Sequence, residues 1–270
     1  MNNKQYTPYD KFPVDEVRFT MGQDRTNKTT INMSVGAMSA QVCIVTPAAV
    51  TNWPRVTGDG NFGTMWGPTD IQKAKYSLDL TDGLIDGAHP VYFTEFSELL
   101  ERVDDQLLHF VYENQLRILG RKNLSKDEVK MLQIRSVRPK YDKISGVLTG
   151  HSVQLSTAKF GWDGLGGRQE RKINVCDLNC KVIQDGLVCP GDVVAATMYA
   201  NQVYTGVGGD KFGIHWGFED VQVIAQRAKL EYKTEVPAFS MAQYPFAAPY
   251  DTPKPITTGE TAADPMQFSD

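Results

Sequence analysis

The chain is short of most of the residues that announce chemistry. It has four cysteines and four histidines in 270 residues. So few cysteines exclude a disulfide-stapled scaffold. No apolar run is long enough to cross a bilayer as a helix. Met1 to Asp15 is polar and lacks the apolar core of a secretory signal, so an intracellular, soluble protein is expected. Bulk positive charge is also missing. The formal net charge is -4, which argues against coating a polyanion by overall charge but leaves room for a local basic surface.

Catalytic signatures are absent too. There is no Gly-x-Ser-x-Gly elbow, no His-Glu-x-x-His pair and no kinase set. His89, His109, His151 and His215 stand in unrelated contexts. The glycine run from Gly206 to Asp210 lacks the Lys-Ser/Thr ending of a phosphate loop, so it reads as a hairpin turn. Cys176, Cys180 and Cys189, with His151 at a distance, resemble half of a zinc site. The second close ligand pair is missing, and buried thiols are the simpler reading. The expectation is a non-enzymatic protein with no cofactor and no metal.

What the chain does have is a 41% hydrophobic fraction and 10% aromatics, enough for a sizeable core. Strands are expected over 14–19, 31–35, 41–46 and 73–80, with a loop over 47–70. A long amphipathic helix follows. Phe96, Leu99, Leu100, Val103, Leu107, Phe110 and Val111 share one face, Thr94 is a candidate N-cap and Gly120 a candidate stop. Ser125 and Glu128 have the spacing of a capping box, which opens a short second helix. From 143 to 224 the pattern becomes many short strands separated by glycine turns.

This order predicts a β-dominated α+β fold: an OB-like antiparallel barrel elaborated with a long helix and extended termini. Residues 1–13 read as a disordered arm and 14–227 as the OB-like domain with its helical insertion. Residues 228–270 read as an acidic tail rich in proline and aromatics. Residues 231–270 hold six carboxylates and two lysines, with Phe268 near the end as a candidate docking group for replication proteins.

Three features point to a polyanion. The stretch from Arg117 to Lys143 holds nine cations against three carboxylates. Such clustering drives salt-dependent binding by counterion release. The glycine-rich stretch from Ala158 to Lys172 offers Phe160 and Trp162 to stack on bases, with Lys159, Arg168, Arg171 and Lys172 for phosphates. Finally, Phe212, Ile214, Trp216 and Phe218 alternate with Lys211, Gly213, His215 and Gly217. The aromatic face of that strand reads as core, and the opposite face as the better contact surface. The candidate contacts are therefore Lys140, Lys143, Lys159, Phe160, Trp162, Arg168, Arg171, Lys172, Tyr204 and Lys211, with Trp216 as a further stacking candidate.

The sequence resembles the OB-fold single-stranded-DNA-binding-like proteins of nucleocytoplasmic large DNA viruses. The resemblance rests on Ile44 to Pro47, the strand ending at Leu80, the helix with Val103 to Leu107, and Ser125 to Leu132 before Pro139 and Tyr141. It closes on Lys211 to Trp216 and Val221 to Val223. It spans roughly residues 40–225 and implies a sequence-tolerant single-stranded DNA-binding protein of viral DNA replication or recombination. DNA or RNA, replication proteins and further copies of the chain are the partners to expect, in the host nucleus or at a cytoplasmic replication site. The alternative is a virion structural or assembly protein whose arms tie subunits together.

Overall fold

The computed structural model describes residues 4–23, 29–36, 41–55, 75–82, 91–142, 144–158, 160–162, 168–171, 173–183, 188–189, 191–206 and 210–225. The strands run in chain order as β1 (Lys4–Pro8), β2 (Val17–Gln23), β3 (Thr29–Val35), β4 (Gln41–Val45), β5 (Ala49–Arg55) and β6 (Lys75–Thr81). Three helices follow: α1 (Val91–Glu113), α2 (Gln115–Leu119) and α3 (Lys126–Leu132). Then come β7 (Gln133–Ile134), β8 (Val137–Tyr141), β9 (Leu148–Ala158), β10 (Phe160–Trp162), β11 (Arg168–Glu170), β12 (Asn174–Cys176), β13 (Val193–Thr205) and β14 (Phe212–Ala225).

Five of these strands close on themselves. Antiparallel ladders join β14 to β13, β13 to β5, β5 to β6 and β6 to β9. That leaves β9 and β14 running in the same direction, with one gap between them. A side chain bridges it. Thr157 Oγ1 donates to the Phe218 carbonyl at 2.7 Å and accepts from the Phe218 N–H at 2.9 Å. Numbered along the chain, the ring order is 1-2-3-5-4, the wiring of a five-stranded Greek-key barrel of OB type. The β-dominated α+β expectation is met.

The barrel interior is apolar because inward positions alternate along each strand. Leu78 and Leu80 of β6, Val153 and Leu155 of β9, Val194 and Met198 of β13, and Phe212 and Phe218 of β14 are all buried. So are Phe96, Leu100, Val103, Leu107 and Val111, the stripe along α1. The helical pattern of that segment is therefore the docking face it was read to be. Its limits differ, however. α1 starts at Val91, right after Pro90, so Thr94 lies inside it rather than capping it. The helix breaks at Asn114, whose side chain donates to the Phe110 carbonyl at 2.9 Å. Gly120 ends α2 with φ of 67°, the left-handed stop expected of it. Ser125 and Glu128 form the full capping box of α3.

Three expectations need correction. Residues 4–13 are not a disordered arm: β1 pairs in parallel with β4, and a 3-10 turn follows over Tyr9–Lys11. Tyr9 and Phe12 are buried, and Tyr9 packs edge-on against Phe96, which anchors the segment. The loop expected over 47–70 contains β5, a barrel strand. Its turn-rich composition hid it, but Thr51 ties it to the β13 entry: its N–H and its hydroxyl both donate to the Asp192 carbonyl. The short strands expected from 143 onward start later: residues 144–147 belong to the turn of a hairpin whose strands are β8, inside the basic segment, and β9. The tail from 228 lies outside the described residues, as does the domain limit drawn there.

The Thr157 bridge gives a direct test. Thr157→Val keeps the shape but leaves the buried Phe218 N–H and carbonyl without a partner. The expected loss is about 3 kcal/mol in urea unfolding, while Thr157→Ser, which keeps the hydroxyl, loses about 1 kcal/mol.

Candidate nucleic-acid interface

A groove of about 220 Å³ opens on the outside of the barrel, along the β9–β14 seam. Its floor is built by Ile214, His215 and Trp216 of β14 with Ser136. Gln202 and Tyr204 of β13 form one side. Lys75 of β6, Gln154 and Ser156 of β9, and Arg138 of β8 form the other, with Ile134 and Arg135 at the end where β7 pairs with β14. Lys75, Arg135 and Arg138 are the charged members. None of the described residues lining the groove is a carboxylate.

The local backbone makes room for this surface. Tyr204 lies across from Gly213 in the β13–β14 register. A Cβ at position 213 would come within 2.6 Å of the Ile134 carbonyl and 3.0 Å of the Tyr204 hydroxyl. Glycine there lets the phenol lie across β14 beside the groove. Burial raises the Tyr204 pKa, with Arg138 working in the opposite direction. The ring is therefore a neutral donor at physiological pH.

Below the floor runs a polar chain. The Trp216 indole N–H donates to Ser136 Oγ at 2.7 Å, and Trp216 is only 2% exposed. Ser136 in turn donates through its hydroxyl and its N–H to the Asp104 carboxylate of α1, at 2.8 and 2.7 Å. Gln133 Nε2 donates to the Asp104 carbonyl at 2.7 Å. This chain links the long helix to the groove floor. Burial pushes the Asp104 carboxyl up to about 6, against the Ser136 hydrogen bonds and the charge of Arg135. Arg135 itself pairs with Asp105 at 2.8 Å, so part of its charge is offset.

His215 sits in the floor between two polar groups. Its Nε2 lies 2.6 Å from Ser156 Oγ and its Nδ1 lies 3.3 Å from Asn201 Nδ2. With the Asn201 amide donating to Nδ1, the ring proton rests on Nε2 and donates to Ser156. Burial lowers the His215 pKa, and Lys75 adds to the effect. The ring is neutral at pH 7 and presents no charge to a ligand.

Two of the sequence candidates, Tyr204 and Trp216, fall in this groove. Trp216 contributes a covered floor with its N–H already engaged, in keeping with the core reading of its strand face. Lys140 is on β8, beyond Arg138 along the same strand, and Lys211 immediately precedes β14 where β7 pairs. Phe160 is half-buried on the β10–β11 hairpin, and Arg171 is exposed just after it. That hairpin also holds Trp162 and Arg168 as strand positions. Lys143, Lys159, Lys172 and Phe268 lie outside the described residues. The residues missed from sequence are Lys75, Arg135, Arg138, Gln154, Ser156 and Gln202. Arg135 and Arg138 belong to the basic run already noted. The others carry no local signal, because only strand pairing makes them neighbours.

The Asp104 carboxyl sets a pH dependence. Its folded pKa lies above the unfolded value, so its contribution is fully present below about pH 4 and is lost as pH rises through about 6. Relative to Asp104→Asn, the wild-type protein should therefore lose about 3 kcal/mol of stability across that window. Paired thermal or urea unfolding at several pH values reads it. Parallel curves for the two proteins would contradict the assignment.

No family model matches the chain, and no curated protein matches it in sequence. Solved structures do show likeness. The chain is similar to gp2.5, a single-stranded DNA-binding protein encoded by bacteriophage T7, at 11% identity and a TM-score of 0.48. That match covers 68% of this chain and 91% of that one. It is also similar to the single-stranded DNA-binding protein of bacteriophage Enc34 in complex with ssDNA. Here identity is 8% and the TM-score 0.37, over 77% of this chain and 96% of that one.

Proposed function

We propose that this protein binds single-stranded nucleic acid, DNA in the first instance, without marked sequence preference. The observation that carries the reading is the groove itself. Lys75, Arg135 and Arg138 border it, no described lining residue is a carboxylate, and Tyr204 offers a ring at its side. Phosphates meet the cations and release counterions, while a base meets the phenol. Gln154, Ser156 and Gln202 provide hydrogen bonds that suit many base edges rather than one.

The remaining sequence candidates extend this path. Lys140 follows Arg138 along β8 and Lys211 precedes β14 where β7 pairs, so both would add positive charge beside the groove. The segment from Lys159 to Lys172 would add Phe160, Trp162, Arg168, Arg171 and Lys172 as a flanking arm. A role in DNA replication or recombination, with the acidic tail and Phe268 docking on replication proteins, follows as an extension of the same proposal.

A fluorescence polarisation titration with oligo-dT tests it. Binding should weaken steeply with added salt. Lys75→Ala and Arg138→Ala should each reduce the salt slope by about 1, whatever the sequence of the oligomer. Tyr204→Ala should cost about 1–3 kcal/mol with the slope unchanged. Absence of binding at about 50 mM salt and micromolar protein would overturn the proposal.

A further inference from the structure

Apolar side chains are normally scattered singly over a protein surface. Here they gather. Eight large hydrophobic residues are exposed among the described residues, and four of them fall within eight consecutive positions. Tyr141 is 60% exposed, Ile144 98%, Val147 61% and Leu148 49%. All four belong to the tip of the β8–β9 hairpin. Nothing in the barrel covers them.

The tip is nonetheless built with care for its backbone. Asp142 Oδ1 accepts from the Ile144 N–H at 3.0 Å, the Ser145 N–H at 2.7 Å and the Ser145 hydroxyl at 2.9 Å. The Asp142 N–H donates to the Val147 carbonyl at 2.8 Å, and the Gly146 N–H to the Asp142 carbonyl at 2.9 Å. Gly146 supplies the left-handed turn at φ of 68°. These bonds hold the Asp142 carboxyl below its ordinary range. The one carboxylate of the tip sequence is thus engaged within the turn, while the four apolar side chains stand exposed.

We propose that this tip is a second contact surface, for the unpaired bases of a single strand whose phosphates lie along the groove. The inference rests on the groove reading and extends it. Continuity supports it: Arg138 and Gln154, joined at 2.8 Å, form the groove wall on the same two strands that carry the tip. From Arg138 the register runs through Pro139 opposite His151 and Lys140 opposite Gly150 to Tyr141 opposite Leu148. That is about 10 Å of strand. Charge supports it as well. Lys140 lies between wall and tip, Lys143 belongs to the tip sequence, the tip's own carboxylate, Asp142, is engaged within the turn, and Asp82 beside His151 is buried. A positive path leading to an apolar end suits a strand whose backbone is anionic and whose bases are apolar on their faces.

A second copy of the chain is the rival occupant, and β8 is poorly made for it. As the last strand of the sheet path it offers an edge, but Pro139 has no N–H to give there. Edge pairing of two copies centred on this strand would also bring the cations Arg138 and Lys140 of one copy close to those of the other.

The test uses the full chain and a double variant, Ile144→Ser with Val147→Ser, alongside Tyr141→Ala. These side chains are exposed, so thermal melts should match wild type. Affinities are measured for oligo-dT of about 4 and about 16 nucleotides, spanning the site sizes of OB folds. The expected result is a roughly tenfold loss for the long oligomer, less than about twofold for the short one, and an unchanged salt slope. Equal effects at both lengths, or none, would overturn the tip proposal while leaving the groove intact. Loss of self-association in light scattering, with DNA affinity unchanged, would assign the tip to a copy-to-copy contact instead. Failure of the wild-type chain to bind either oligomer would bring down the groove reading, and the tip proposal with it.

Discussion

The structure depends on the closure made by Thr157. Two parallel strands, β9 and β14, meet without a regular ladder, and one hydroxyl serves both the N–H and the carbonyl of Phe218. Because both groups are buried, water cannot serve them, and any residue without a hydroxyl leaves them unpaired. The closure does two things at once. Inward, it seals the layer formed by Leu155, Phe218 and their neighbours. Outward, it holds β9 and β14 close enough to make a trough but not so tightly that a ladder of backbone bonds fills it. The groove follows from the way the barrel is closed.

The long helix reinforces that arrangement from below. Asp104 is a buried carboxylate, which is costly to keep charged, yet it caps Ser136 twice and thereby positions the group that receives the Trp216 indole N–H. A polar chain of this kind constrains the register between α1, the segment before β8, and β14. Its members give up hydrogen-bonding capacity to hold the floor still. The groove then presents side chains from six strands with little freedom to collapse onto one another. Its contacts are cationic, phenolic and amide in character, a mixture that suits a flexible polyanion carrying flat apolar groups.

Much of the fold was legible in the sequence. The 3.6-residue stripe from Phe96 to Val111 specified the buried face of α1, because burial imposes that spacing directly. Gly120 and the Ser125–Glu128 pair marked helix ends by local backbone needs. The alternation from Lys211 to Phe218 separated an inward aromatic face from an outward one with glycines and His215. What failed was governed by distant partners. β5 lies in a stretch rich in turn formers and becomes a strand because β6 and β13 pair with it. The arm at residues 4–13 is ordered because β1 pairs with β4 and Tyr9 packs against Phe96 of α1.

The sequence by itself determined the composition of a β-dominated fold, the amphipathic helix and the sign of a local basic run, since each is written in neighbouring residues. It also marked Tyr204 and Trp216 as candidates by type. Only the tertiary structure decided where they sit. Strand pairing brings Lys75, Arg138, Gln154 and Ser156 to one face although they lie far apart along the chain. The same pairing covers Trp216 and leaves Tyr204 at the groove side. Local patterns report what a residue's own segment requires, whereas a groove is a property of strands that meet through space.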